Sequence, residues 1–208
     1  MNLEHLQQKK AAISGIILAA GTSTRMGRDK LSLPFRGKPI VQHVIDAARN
    51  SILETVTIVL PEQSDLEPLL DLDNCKIIYS TERAKGQAES LKAGISSAKS
   101  HAQGAMVLLG DLPLISPEVI NHLIWAFSQE PHNWVIPMQE GMRGNPITIP
   151  SQWFDKVMEL EGDTGARPLL ATPRLPLRLV KVNEIGPFID VDTEQQYQML
   201  LNRYDTAI

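Results

Sequence analysis

A single cysteine, Cys75, stands in the chain, so an internal disulfide and a cysteine-built zinc site are both excluded. That sparing use suits a reducing, cytoplasmic setting. Long hydrophobic runs are missing too: none approaches the roughly 20 residues of a membrane-spanning helix. The opening stretch from Met1 to Lys10 lacks the apolar centre of a secretion signal. No surplus of positive charge exists, since the net charge is −4 and the pI about 5.7, which argues against a general nucleic-acid binder. The 5 histidines are scattered, without the paired spacing of a metal site on one helix. No repeat, low-complexity stretch or Ser/Gly linker divides the 208 residues, 43% of them hydrophobic, so one domain is expected over 13–208 behind an extension at 1–12.

Short apolar runs alternate with longer segments of helical period, the pattern of a three-layer α/β fold with a mostly parallel sheet. Strands are expected at Ile13–Leu18, Thr55–Leu60, Lys76–Tyr79, Ala105–Leu109 and Trp134–Pro137. Helices are expected at Pro39–Asn50, Asp65–Leu72, Ala88–Ser97 and Pro117–Ser128, the last with Ser116 as its N-cap. After about residue 138 the rhythm changes. Strands are read at Asn145–Pro150, Arg178–Val182 and Phe188–Val191, with helices at Ser151–Leu160 and Glu194–Tyr204.

The first strand empties into Leu18-Ala-Ala-Gly-Thr-Ser-Thr-Arg-Met-Gly-Arg-Asp-Lys30. A glycine-bearing turn with Arg25, Arg28 and Lys30 suits a polyphosphate, because free backbone N–H groups and cations oppose its charge. It is neither a dinucleotide-binding turn nor a Walker A loop, for the glycine spacing fits neither. A second element, Val107-Leu-Leu-Gly-Asp-Leu-Pro-Leu114, sets Asp111 at the end of a buried strand. In open parallel sheets ligands sit beyond the carboxyl ends of strands, so a carboxylate there can hold Mg2+, which takes oxygen ligands from one or two carboxylates and substrate phosphates. Phe188-Ile-Asp-Val-Asp-Thr193 offers Asp190 and Asp192 as a second carboxylate. Only one of the two is expected to reach the metal, and Asp192, just before Thr193, also reads as a helix cap.

Leu-Ala-Ala-Gly-x-x-x-Arg-Met-Gly-x-x-Lys resembles the signature loop of nucleotidyltransferases that attach a nucleotide to molybdopterin, the MobA-like family. Within it the loop is closer to the cytidylyltransferases than to the guanylyltransferases, whose loop usually reads Leu-Ala-Gly-Gly. The resemblance extends from Ile13 to Leu201 and implies a Rossmann-like nucleotidyltransferase fold, with a nucleotide-binding half (13–137) and an acceptor-side half (138–208). It implies transfer of CMP from CTP to the terminal phosphate of molybdopterin, with release of pyrophosphate. Leu18, Ala19, Ala20, Gly21, Thr22, Arg25, Lys30 and Asp111 would meet the nucleotide, with Arg25, Lys30 and Asp111 catalytic.

Gly86-Gln-Ala-Glu-Ser90 resembles the family segment that lies against the base, which brings in Gly86 and Ser90, with Pro61 bordering the pocket. Arg143-Gly-Asn-Pro146 and Gly162-Asp-Thr-Gly-Ala-Arg167 resemble acceptor-side elements and imply Arg143, Asn145, Asp163 and Arg167 as acceptor contacts. The family's terminal Asp-Ile-Asp string aligns its first aspartate with Asp190, the implied partner of Asp111 on Mg2+. An apo-molybdoenzyme as transient recipient of the product belongs to the same expectation, and neither nucleic acid nor membrane does. Two alternatives stay open: the same chemistry with GTP, and a non-catalytic carrier of the molybdenum cofactor.

Overall fold

The computed structural model describes residues 10–21, 26, 28–80 and 86–205. The chain runs β1 (Ile13–Leu18), β2 (Pro34–Phe35), β3 (Lys38–Pro39), α1 (Ile40–Arg49), β4 (Thr55–Pro61), β5 (Cys75–Ser80) and α2 (Gln87–Ala98). It continues through β6 (Gly104–Leu109), α3 (Pro117–Gln129), β7 (Trp134–Gln139), β8 (Met142–Arg143), β9 (Ile147–Pro150), α4 (Phe154–Met158), α5 (Arg167–Leu170), β10 (Leu177–Lys181) and α6 (Glu194–Tyr204).

All of β1 is buried, which is why it reads as an unbroken apolar run rather than an alternating one. It lies mid-sheet in the order β10-β7-β9-β6-β1-β4-β5, with β8 on β7. β1 pairs in parallel with β4 and β6, β4 with β5, and β7 with β10. The short β9 runs antiparallel between β6 and β7. Side chains alternate between two helical layers. Ile13 and Ile17 face α1 and α3 with Ile58, Leu60, Met106 and Leu108, while Ile16 and Leu18 face α2 and α4 with Val59, Ala105 and Val107. A smaller third cluster joins α6 to the β2–β3 hairpin through Phe35, Ile40, Val191, Tyr197 and Leu200. The mixed α/β architecture and the mostly parallel sheet match the expectation.

Since β4 follows β1 on one side and β6 lies on the other, the strand order reverses at β1. The crevice beyond Leu18 and Leu109, paired in register, is therefore the switch point where α/β sheets receive ligands. The capping expectation for α3 is met, with Ser116 Oγ accepting from Val119 N at 3.2 Å.

Three expected elements differ. The helix at Asp65–Leu72 is only a 3-10 turn, Glu67–Leu69: Pro68 supplies no N–H, and Leu66, Leu70 and Leu72 reach the core from the turn and the chain around it while Leu69 is exposed. The helix at Ser151–Leu160 is a 3-10 turn at Ser151–Trp153 followed by α4, without a Ser151 cap bond. The strand at Phe188–Val191 is a 3-10 turn, Gly186–Phe188, and then extended chain outside the sheet. Among the described residues no helix is long and apolar enough to cross a membrane.

Candidate active site

At the carboxyl end of β1 the backbone is stitched to both neighbours: Ala19 N donates to Val59 O at 3.0 Å, and Gly110 N to Leu18 O at 3.1 Å. Leu18, Ala19 and Ala20 are buried, Ala19 toward α1 and α3 and Ala20 toward α2 beside Ala88 and Leu91. Their side chains belong to the core, which leaves the backbone as what they can offer a ligand. Gly21 follows, exposed. Thr22, Arg25 and Gly27 lie outside the described residues.

Lys30 opens a 3-10 turn, Lys30–Ser32, that is fixed by Asp29 Oδ1 accepting from Leu31 N at 3.1 Å and by burial of Leu31. This aims the Lys30 ammonium at the switch point. There it donates to Asp111 Oδ2 and to Asp192 Oδ1, each at 2.5 Å. Asp111 follows β6 after Gly110, and its other oxygen, Oδ1, is buried with no hydrogen-bond partner among the described residues.

The second acidic group arrives on an arm, residues 186–192. Pro187 O accepts from Asn145 N at 2.9 Å, and Val191 N donates to Asp111 O at 3.1 Å. Val191 is buried in the α6 cluster, between Asp190 and Asp192 in the sequence. Residues two apart on extended chain share a face, and Asp190 and Asp192 both act on the charge of Asp111, Asp192 while bonded to Lys30 and Asp190 while accepting from Gln196 Nε2 at 3.5 Å. Asp192 is not the helix cap. Thr193 is, in a capping box with Gln196, which leaves the Asp192 carboxylate for Lys30.

Burial lifts the Asp111 carboxyl above the ordinary range, against the pull of Lys30, and the negative charges of Asp190 and Asp192 add to the rise. For Lys30, burial works downward but Asp111 and Asp192 outweigh it, and the ammonium is held above the usual lysine value. Two carboxylates thus meet the Lys30 ammonium, and the charge of a third, Asp190, is felt by Asp111. No set of three His, Cys, Asp or Glu side chains forms a ready metal cage among the described residues. An orphaned, desolvated carboxylate oxygen with further carboxylates at hand nevertheless fits a hard divalent cation that takes its remaining ligands from phosphates and water.

The other residues fall around the same edge. Pro61, ending β4, is in register with Ser80, ending β5, and Ser80 Oγ accepts from the buried Ser90 Oγ at 3.4 Å. Gly86 enters α2 with φ +99°. Arg143 lies exposed on β8 opposite Met138, Asn145 is held through its backbone to the arm, and Arg167 opens α5 with its N donating to Thr164 O at 3.2 Å. Asp163 Oδ1 accepts from Gln87 N at 3.1 Å. Arg28 faces elsewhere: it pairs with Glu194 at 2.6 Å and lies over the Tyr197 ring, fastening the loop to α6.

Residues 15–179 match the MobA-like NTP transferase domain. The chain belongs to that family. Over 198 residues, 89% of this chain and 94% of the relative, it is 32% identical to the purine catabolism protein PucB of Bacillus subtilis (strain 168). Over 195 residues, 93% of this chain and 98% of the relative, it is 24% identical to the molybdenum cofactor cytidylyltransferase of Escherichia coli (strain K12). It superposes with TM-score 0.80 and 25% identity on the manganese complex of Rv0371c from Mycobacterium tuberculosis H37Rv, covering 92% of this chain and 99% of that one.

In this MobA-like transferase, Lys30 and Asp111 are expected site residues that the structure brings into contact. Asp192 as the second partner of Lys30 and Asp163 as a partner of α2 were not read from the sequence. The signal for Asp192 was its spacing of two from Asp190; for Asp163 no local signal pointed to a helix so far upstream. Cys75 begins β5 at the opposite, amino end of the sheet, and burial pushes its thiol upward. Cys75→Ser is therefore expected to leave turnover unchanged, and the native thiol to react slowly with an aromatic disulfide reagent. Rapid modification accompanied by loss of turnover would contradict this.

Proposed function

We propose that the protein transfers CMP from CTP to the terminal phosphate of molybdopterin. The observation that carries nucleotidyl transfer is the convergence of Lys30, Asp111, Asp190 and Asp192 at the sheet's switch point. The cytidylyl and molybdopterin parts rest on the Leu-Ala-Ala-Gly loop, on the Gly-Asn-Pro and Gly-Asp-Thr-Gly-Ala-Arg strings, and on near full-length similarity to a molybdenum cofactor cytidylyltransferase.

In this reading an oxygen of the acceptor phosphate attacks the α-phosphorus of CTP. The new P–O bond forms as the bond to the β-phosphate breaks, and pyrophosphate leaves with that electron pair. The nucleophile is already an anion, so no general base is needed, and the protein aligns the groups and offsets charge. Asp111 and Asp190 would hold Mg2+, which when bound supplies positive charge beside the α-phosphate. Lys30, with Arg25 and the backbone N–H groups from Gly21 onward, would hold the β- and γ-phosphates. Gly86, Ser90 and Pro61 would border the base, and Arg143, Asn145 and Arg167 the acceptor. Ala20 is buried in the same core cluster as Ala88 of α2, so its influence on base size would act through the packing beneath that helix.

The test incubates the full chain with Mg2+, molybdopterin and either CTP or GTP, and follows pyrophosphate and the dinucleotide. Product with CTP alone is expected. Product with GTP would move the protein to guanylyl transfer, and no product with tight molybdopterin binding would make it a carrier.

A further inference from the structure

α2 cannot cap itself. Its N-cap is Gly86, which has no side chain to accept from the first helical N–H groups. Those groups are met from the acceptor-side half of the chain. Gln87 N donates to Asp163 Oδ1 and Ala88 N to Gly162 O, each at 3.1 Å, the first across 76 residues of sequence. The fit is close on both sides. A Cβ on Gly86 would stand 2.5 Å from the Gly162 carbonyl carbon, and one on Gly165 would stand 2.7 Å from Gln87 Oε1. On its other flank the same helix turn is buried through Ala88 and tied by Ser90 to Ser80 at the end of β5. The 162–165 loop then runs directly into α5, where Thr164 O accepts from Arg167 N.

We infer that Asp163 is a positioning residue: it clamps the first turn of α2 to the 162–165 loop, and so joins the base pocket to the acceptor site mechanically. A carboxylate at that helix end also opposes the positive pole of α2. One strap thus carries Asp163 toward the nucleotide side and Arg167 on the acceptor side. Seating a nucleotide against Gly86 and Ser90 stiffens the loop that presents Arg167. The inference rests on the nucleotidyl-transfer reading for what the two pockets hold, though not for the clamp itself.

Asparagine caps a helix about as well as aspartate and alanine does not, which separates a clamp from a charged contact. Binding of Mg2+–CTP to the full chain is measured by calorimetry for the native protein, Asp163→Ala and Asp163→Asn. Amide exchange at Gln87 and Ala88 is followed without ligand, and KM and kcat with it. Asp163→Ala is expected to weaken CTP binding about 5- to 10-fold, the size of one lost cap bond. It should raise the KM for CTP more than it lowers kcat, and speed exchange at both amides. Asp163→Asn should stay within about 2-fold of the native protein in each measurement, the cap being kept.

The clamp is overturned if Asn is as damaging as Ala, or if Ala binds CTP normally with its amides still protected. Should Asp163→Ala not fold, Asp163→Asn decides alone: normal CTP binding supports the clamp, and a loss of about 10-fold, too large for a retained cap, overturns it. Failure of the native protein to bind Mg2+–CTP would instead sink the nucleotidyl-transfer reading, while amide exchange still reads the clamp.

Discussion

Asp111→Ala is expected to lower pyrophosphate release at saturating CTP by at least about 10²-fold, the scale of losing one preorganised charge partner. The substitution removes the buried carboxylate whose Oδ1 is orphaned and whose Oδ2 fixes Lys30. Lys30→Ala should cost turnover on the same scale for a different reason. It leaves Asp111 and Asp192 without the ammonium that bonds both, so thermal stability should fall in metal-free buffer. Adding Mg2+ should then raise the unfolding temperature more than it does for the native protein, because a divalent cation takes over the missing charge. Folded variants of both kinds with near-native rates would remove Asp111 and Lys30 from the chemistry.

Gly186→Ala is expected to abolish turnover almost as completely while leaving the sheet standing. A Cβ on Gly186 would lie 2.1 Å from the Leu114 carbonyl oxygen and 2.6 Å from its carbon. Those are backbone atoms of the turn that follows Asp111, and they cannot swing aside as a side-chain tip can. The arm must lift, and Asp190 and Asp192 lift with it. Forcing such a contact costs about 1–3 kcal/mol, enough to move the arm and too little to unfold the domain. The check is pyrophosphate release beside the circular-dichroism melting curve: native turnover with an unshifted melt would show that the arm does not place the carboxylates.

Much of the fold was legible because its strands are buried on both faces and stand out as apolar runs, as Ile13–Leu18 and Gly104–Leu109 do. Once β1 and β6 are strands, the switch-point rule brings Lys30 and Asp111 to one crevice without further information. The arm was not legible. Alternating residues from Phe188 to Val191 look like a strand, but the sheet offers them no ladder, and they are held instead by the bond of Val191 N to Asp111 O and by burial of Val191 against α6. Asp192 was obscured by its neighbours: a helix start follows it, and only the Thr193–Gln196 capping box shows which residue caps. Its true partner, Lys30, is 162 residues away, a separation that leaves no periodic trace. Asp163 hid in the same manner, for a Gly-Asp-x-Gly turn beside a helix looks like that helix's own cap, whereas it serves α2.

Among the described residues, every strand of the large sheet is complete by Lys181, whereas Asp190 and Asp192 come after it. The length of chain that builds the body is therefore separate from the length that arms it. On the nucleotidyl-transfer reading, the body can thus assemble during synthesis before α6 emerges to draw its acidic leader into place. For the same reason a protease nick between β10 and α6 is expected to spare the sheet while lowering turnover.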